Sequence, residues 1–448
     1  MTLLLTHAYF LADDAKEREI MRPYAPLGLL YLSSHLRAKG LSVEIYDSTF
    51  GTKADLFSTL RHGPPSALGV YANLMTRQNA LEIIACAHEA GWIVVAGGPE
   101  PANYAEEYLD GGADLVVSGE AEIPLEELLR CGFERPSWSR IGGLTYRDTS
   151  GSTVCTPPAQ LIKDLDAQPW PDRERIDINR YLAAWRKHHG NGSVSLITAR
   201  GCPYRCNWCS HSVFGTTHRR RSANGVVDEV EWILNRYNPE MLWLADDVFT
   251  IHHGWLFKYA AEMKRRGLRI PFECITRADR VNERVAEALA ELGCFRVWIG
   301  SESGSQRLLD AMERGVTVEQ VRTAVRLCKQ FGIHTGMFLM WGYDGEEMQD
   351  IEATVEHVKT CRPDVCFTTV SYPIKGTPYY ERVASRLVRL QDWSKSTDRD
   401  LRIKGRHSRN FYKHADDLLK GELAEVPDLG RVLAAREGLR ATSHEVEI

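Results

Sequence analysis

From Thr2 onward the chain alternates short apolar runs with amphipathic stretches. LLLTHAY is an apolar run of strand length, and PLGLLYLSSHLRAKG places apolar residues at helical spacing before stopping at Gly40. SVEIYDS and ALGVYA are strands again. ALEIIACAHEAG predicts a helix stopped at Gly91, WIVVAGG and ADLVVSG predict strands, and EIPLEELLR a helix with an acidic first turn. Strands apolar on both sides, separated by helices, predict a parallel sheet covered on both faces. Residues 1–131 are therefore expected to form a Rossmann-like domain. Its ligand edge is the carboxyl end of the strands: His7 to Tyr9, Asp47 to Thr49, Tyr71 to Met75, Gly97 to Glu100 and Gly119 to Glu122. Asp13 to Arg22 is a long polar connection, readable as a surface loop or as a lid over that edge.

The texture changes after Cys131. Ile141 to Tyr146 and Thr153 to Thr156 flank DTSGS as a small hairpin, and PAQLIKDLDAQPWPD follows as a proline-bearing linker, so residues 132–192 are expected to bridge two modules. Residues 193–386 repeat strand and helix six times. The strand candidates are Val194 to Thr198, Met241 to Ala245, Phe272 to Thr276, Phe295 to Gly300, Ile333 to Met340 and Val365 to Ser371. Eight such units usually take about 250 residues, so this α/β pattern predicts a partial, TIM-like (β/α)6 barrel with its active site at the carboxyl edge of the strands. Residues 387–448 form a polar extension, and HSRNFYKHADDLLKGELAEV within it predicts a helix or two.

Composition narrows the class. The 448 residues are 44% hydrophobic and 26% charged, which excludes fibrous and disordered chains. No uncharged apolar run approaches the roughly 18 residues of a membrane span, and no basic segment precedes the first apolar run as in a secretory signal. With 55 basic and 60 acidic residues no basic stripe dominates, which argues against a nucleic-acid partner. Arg219 to Arg221 is the one dense basic patch and is expected to be a solvated turn. Eleven cysteines without secretion signals point to a reducing cytoplasm, where thiols can hold metal.

Three of those cysteines carry the sharpest signal: Cys202, Cys206 and Cys209 in RGCPYRCNWCS, directly after the first barrel strand. Three thiolates in one short loop can wrap a small metal centre. Zinc would want a fourth protein ligand, for which His211 and His218 are near. An iron–sulfur cube on three cysteines leaves one iron open, and three unliganded structural cysteines are the plain alternative.

The Cys-x3-Cys-x-aromatic-Cys spacing resembles the radical S-adenosylmethionine (SAM) superfamily. That resemblance implies a [4Fe-4S] cluster on Cys202, Cys206 and Cys209 whose open iron chelates SAM, and a 5′-deoxyadenosyl radical that takes a hydrogen from substrate. It implies that Trp208 lies near the adenine with Tyr204 beside it, and that Asp246 lies near the methionyl amino group. It also implies that Glu273, Arg277, Ser301 and Glu302 hold ribose or carboxylate, and that Met340 lies against adenine. Asp247 and Glu346 are the candidate acid–base residues toward substrate.

PLGLLYLSSHLRAKG, GGPE, SGEAEIPLEELL and YPIKGTPYY further resemble the subgroup with an amino-terminal cobalamin-binding-like domain. The likeness spans Thr2 to Tyr380. The Asp-x-His-x-x-Gly string of histidine-ligated cobalamin modules is absent, so two readings stay open: a corrin site, with Leu74, Met75 and Arg77 above it and Gly97, Gly98 and Glu100 at its nucleotide tail, or an inherited scaffold. The leading expectation for the reaction is radical diol dehydration of an aminosugar. It rests on six acids near the barrel mouth, Asp247, Asp279, Glu302, Asp344, Glu346 and Glu347. Its alternative is cobalamin-dependent C-methylation. Either reaction implies a small-molecule substrate and an external electron donor such as flavodoxin or ferredoxin, with a reductase as a further candidate partner. No nucleic acid or membrane is expected as a partner. A redox-sensing cluster protein would not need polar groups at four further strand ends, and the short basic segment Ile403 to Lys413 is thin support for RNA binding.

Overall fold

A computed structural model describes residues 1–424 and 428–448, so Glu425 and Val426 of the predicted carboxyl-terminal helices lie outside the described residues. The chain divides into two compact units, residues 1–203 with 211–243, and residues 204–210 with 244–448.

The first unit is built on a seven-stranded sheet. Its strands are β1 (Leu3–His7), β2 (Val43–Tyr46), β3 (Ala67–Tyr71), β4 (Ile93–Gly97), β5 (Leu115–Val117), β6 (Leu144–Arg147) and β7 (Thr153–Cys155), in the order β2-β1-β3-β4-β5-β6-β7. The first five are parallel, with Leu3 opposite both Val43 and Ala67. Leu3, Leu5, Val95, Leu115 and Val117 pack on one side with Leu29, Leu36 and Leu125 of the covering helices. The expected Rossmann-like sheet is therefore present.

Three expectations change in this unit. The hairpin within 132–192 does not bridge modules; β6 and β7 extend the sheet as antiparallel strands, with Leu115 opposite Tyr146. An unpaired β5 edge would leave its N–H and C=O groups without partners, which the hairpin supplies. Asp13 to Arg22 is not an open loop. It starts at the end of the short helix Leu11–Asp13 and contains the helix Ala15–Ile20, capped by the Asp14 side chain accepting from the Glu17 backbone. Nor is the Arg219–Arg221 run a solvated turn. Arg219 donates to Glu120, and Arg221, 5% exposed, pairs with the fully buried Glu229. Charge pattern alone cannot reveal that partners 99 and 8 residues away bury these side chains.

The remaining strands among the described residues are β8 (Ser193–Leu196), β9 (Ala199–Arg200), β10 (Arg219–Arg220), β11 (Met241–Leu244), β12 (Phe272–Thr276), β13 (Cys294–Glu302), β14 (His334–Trp341), β15 (Val365–Val370), and the short pair β16 (Leu387–Val388) and β17 (Arg402–Ile403). The six expected barrel strands make up one six-stranded sheet. In the second unit, β12 to β15 run parallel in chain order. The helices between them start on side-chain caps: Asn282 for Glu283–Leu292 and a Thr317–Gln320 capping box for Val318–Gln330. Residues 387–448 are not a loose appendage. Ile403 is fully buried with Leu308, Leu309, Met340, Tyr343 and Tyr379, and helices Arg409–Glu422 and Leu429–Thr442 close on one another through Gly421 and Gly438.

Candidate functional site

The cysteine loop is fixed from both ends of its sequence. Gly201 has φ +83°, and a Cβ there would meet the Thr217 carbonyl at 2.4 Å, so both conformation and space demand glycine. Inside the loop the anchor is Asn207, which has no exposure. Its N–H donates to the Met312 carbonyl (3.2 Å), and its side-chain N–H donates to the Ala311 carbonyl (2.8 Å). Its side-chain oxygen accepts from the Tyr343 hydroxyl (2.9 Å), and its carbonyl accepts from the Tyr379 N–H (2.9 Å). The motif's spacing carries no signal for this residue. Asn207→Ala leaves buried groups unpaired at a cost of about 1–3 kcal/mol. It is expected to lower the iron retained on reconstitution although all three cysteines remain; unchanged iron content would show that the loop holds its shape without Asn207.

Cys206 is buried and Cys209 exposed, and the two are within hydrogen-bonding reach of each other. The Cys209 thiol donating to it, together with the Arg314 and Arg277 guanidiniums, pulls Cys206 below the usual thiol range, while that same proton-sharing and burial push Cys209 upward. Arg277 Nη1 lies 3.7 Å and Arg314 Nη1 3.6 Å from Cys206 Sγ. Each arginine is oriented from behind. Arg277 stacks on the Tyr204 ring at 3.6 Å, donates to Asp279 (2.9 Å) and donates to the Arg314 carbonyl (2.9 Å). Arg314 donates to the Gly300 carbonyl (3.0 Å), faces Glu302 at 3.7 Å and lies over Trp208. Arg280 donates to the Tyr204 hydroxyl. Glu302 has a left-handed backbone (φ +61°) at a bulge closing β13, and burial raises its carboxyl to about 7 against the pull of Arg314.

The predicted residues thus separate. Cys206, Cys209, Tyr204, Trp208, Arg277 and Glu302 converge in the second unit, and Met340 lies beneath them in the apolar cluster against which Trp208 packs. Arg314 joins them unforeseen, because its helix-end position after Met312 looks like a surface residue. Cys202 is half-buried and belongs by its contacts to the first unit, and among the described residues no three His, Cys, Asp or Glu stand assembled as a metal site. The donors nevertheless fit an iron–sulfur cluster: two cysteine sulfurs in one loop, with guanidinium N–H groups aimed at the Cys206 sulfur, where they would stabilise the negative charge of a ligating thiolate. Asp246 is buried at the end of β11 and Asp247 is exposed.

Glu273, expected at a strand end, is instead the second residue of β12. It accepts from Trp298 Nε1 (2.6 Å) and pairs with Arg296, roughly 10 Å short of the carboxyl edge at the usual strand rise. Ser301 points away from Cys206: its hydroxyl meets His357 Nε2 at 3.1 Å on helix Met348–Cys361, where burial lowers His357 to about 4. The acids near the mouth are largely matched. Asp279 pairs with Arg277 and Arg280, Asp344 with Arg386, and Glu347 caps its own helix. This removes the electrostatic argument for a polycationic aminosugar.

Glu346 is 3% exposed. Its Oε2 accepts from the Gly342 N–H at 2.5 Å while Oε1 has no partner, so it serves its own turn rather than facing substrate. Burial raises its carboxyl to about 8. A raised folded-state value means that the native state holds a proton the unfolded state has released, so stability falls from the unfolded value near 4.5 up through pH 8. Glu346→Gln keeps an acceptor for Gly342 and is expected to melt higher than the parent at pH 9 but not at pH 5. A pH-independent difference in melting temperature would overturn that account.

At the ligand edge of the first unit, His7 is occupied. His7 Nε2 meets Asp47 (3.0 Å) and its Nδ1 accepts from the Tyr9 N–H (3.3 Å), while the Tyr181 hydroxyl donates to Asp47 (2.8 Å). His35 is held between Gln168 and Glu126. Arg77 and Glu100 are buried against one another with Tyr108. What remains is a loop after β3 with Met75 58% exposed, beside Gly98, which has φ +111° and no room for a Cβ (2.4 Å from the Ala72 carbonyl). Gly98 is thus required by its packing on Ala72 and Tyr71, and the exposed apolar Met75 side chain fits a corrin that takes no histidine from this domain.

Comparison with known proteins bears on both units. Residues 196–358 match the radical SAM superfamily and residues 19–129 the B12 binding domain. An uncharacterized methyltransferase of Pyrococcus horikoshii is 30% identical over 404 residues, 88% of this chain and 86% of the relative. The anaerobic magnesium-protoporphyrin IX monomethyl ester cyclase of Rubrivivax gelatinosus is 25% identical, covering 86% and 71%. Among solved structures, the radical SAM methyltransferase TsrM of Kitasatospora setae, with tryptophan substrate and a SAM analogue bound, superposes with a TM-score of 0.72 at 23% identity. That match covers 86% of this chain and 76% of the other and supports the fold.

Proposed function

Because this chain belongs to the radical SAM superfamily and carries a B12 binding domain, we propose that it is a cobalamin-dependent C-methyltransferase acting on a small molecule. Its cofactors are a [4Fe-4S] cluster, SAM and cobalamin. The observation that carries the proposal is the 30% identity to a methyltransferase along 86% of that relative's length. Methyl transfer thereby replaces aminosugar dehydration as the leading reading, since the acids that suggested a cationic substrate are matched by arginines.

When bound, the cluster with SAM supplies a radical able to take an unactivated hydrogen, and the corrin supplies a methyl carrier. The chain's own residues prepare for this. Cys202, Cys206 and Cys209 would hold the iron. Arg277 and Arg314 balance the charge at Cys206, while Trp208 packs on the apolar cluster that contains Met340. Leu74, Met75 and the Gly97–Gly98 turn would face the corrin. The reading also includes an external electron donor and a reducing cytoplasm; no helix among the described residues is long and apolar enough to cross a membrane.

The test is anaerobic reconstitution with iron, sulfide and hydroxocobalamin, then desalting, metal analysis and incubation with methyl-labelled SAM and a low-potential reductant such as dithionite, which supplies the electrons for Co(I) and for the reduced cluster. About four iron and about one cobalt per chain, with S-adenosylhomocysteine formed, are expected. Four iron without cobalt, and 5′-deoxyadenosine as the sole SAM product, would return the chain to corrin-free radical chemistry.

A further inference from the structure

The strand faces of the second unit separate two environments. Ser301 turns toward helix Met348–Cys361, whereas Gly300 and Glu302 turn toward Arg314: a Cβ on Gly300 would lie 2.6 Å from Arg314 Nη2 and 2.8 Å from Glu302 Oε1. Two residues earlier on β13, Trp298 shares this second face, roughly 7 Å from Gly300 along the strand. The face that carries the arginines of Cys206 therefore also carries Trp298.

Trp298 does not stand upright on the sheet. It lies across β14, over Gly336, where an added Cβ would fall 2.3 Å from the indole ring. This position brings the indole to Phe338 and, two strands away, to Phe367. Both ring-to-ring distances are 5.1 Å, with interplanar angles of 15° and 5°. Phe338 and Phe367 are register partners, 6.4 Å apart and 19° from parallel. Glu273 fixes the indole by accepting from its Nε1, and Arg296 pairs with the same carboxylate. The result is a tile of nearly parallel rings: Trp298 is 4% exposed beneath, whereas Phe367 is 50% exposed.

We propose that this tile is the acceptor-substrate subsite and that it selects a flat, uncharged, conjugated ring system. The assignment rests on the methyltransferase reading for what happens to the bound ring, but not for its binding. Two features select this occupant over a saturated or cationic one. Trp298 is stacked behind both phenyl rings, which leaves the half-exposed Phe367 ring as the aromatic surface open to a further stacked ring. The one ion pair beneath them, Glu273–Arg296, balances its own charge and leaves no net charge to attract an ion. Phe338 lies directly across from Gly300, so a ring seated on the tile borders the Arg314–Cys206 group.

The experiment uses the iron- and cobalamin-loaded protein with two uncharged probes, indole and the saturated bicycle hydrindane, titrated calorimetrically. Indole is expected to bind, with hydrindane about tenfold weaker. Phe367→Ala should weaken indole about five- to tenfold, and Phe367→Tyr should restore it. Phe367 is half exposed, so its replacement leaves the core intact. Equal binding of the two probes, or indole affinity unchanged in Phe367→Ala, overturns the proposal. So does a dimer that Phe367→Ala dissociates, since a second copy would then cover the ring. Cobalt content and S-adenosylhomocysteine formation by the unaltered protein report the methyltransferase reading separately. If those fail while indole still binds through Phe367, the reaction is misassigned and the subsite stands.

Discussion

Cys206→Ala is expected to abolish iron retention after reconstitution and, with it, formation of both 5′-deoxyadenosine and S-adenosylhomocysteine. Cys206 is the buried member of the triad and the one on which two guanidiniums converge. Removing its sulfur deletes a ligand and takes from Arg277 and Arg314 the sulfur that their Nη1 groups share. The fold should survive, because Arg277 keeps Asp279 and the Arg314 carbonyl while Arg314 keeps Glu302 and the Gly300 carbonyl. Far-ultraviolet circular dichroism and iron analysis on the same preparation separate loss of cluster from loss of fold. Arg314→Leu is the informative contrast: it should keep iron yet shift the cluster's reduction potential to more negative values, since an N–H donor to a ligand sulfur favours the reduced cluster. A Cys206→Ala protein that retains iron and cleaves SAM would refute the assignment of the triad.

The largest stability effect is expected at Glu229. Its carboxylate, without exposure, accepts from Arg173 Nη1 (2.6 Å) and from Arg221, and both guanidiniums are themselves buried. Arg173 also donates to the Ser195 carbonyl (3.0 Å), and Arg221 to the carbonyls of Ile197 (3.2 Å) and Gly225 (3.1 Å). Glu229→Ala strands two cations in an interior where the desolvation of each is already costly, and a loss of about 3–5 kcal/mol is expected. Glu229→Gln should lose less, because one acceptor remains. Urea unfolding of the parent and both variants checks this. A loss below about 1 kcal/mol for the alanine variant would mean that water reaches the arginines and that the triad is not a dry interior network.

Much of the architecture was legible because it is written in local periodicity. Apolar runs of strand length, helical spacing, and glycine stops at Gly40 and Gly91 gave the parallel strands and their helices close to where they lie. The cysteine spacing and the YPIKGTPYY and GGPE strings marked the family in the same local way. Where the reading failed, the missing information was a partner distant in sequence. The residues of hairpin β6–β7 suggest a bridge because nothing in them says that β5 needs a neighbour. Arg219 to Arg221 was read as solvated because Glu120 and Glu229 become its partners only on folding.

The candidate site divides along the same line. Sequence by itself determined which residue types are available and in what order: three thiols in a loop after a strand, and polar groups near each following strand end. Tertiary structure alone decided which of them meet. Strand register set Glu273 deep under Trp298 and turned Ser301 toward His357, while the bulge at Glu302 and the return of the chain after Met312 brought Glu302 and Arg314 beside Cys206. The physical reason is that a strand reverses the direction of its side chains at every residue and buries them by depth. A motif therefore fixes the position of a residue in the chain, but only pairing with a neighbouring strand fixes the face and the layer it occupies.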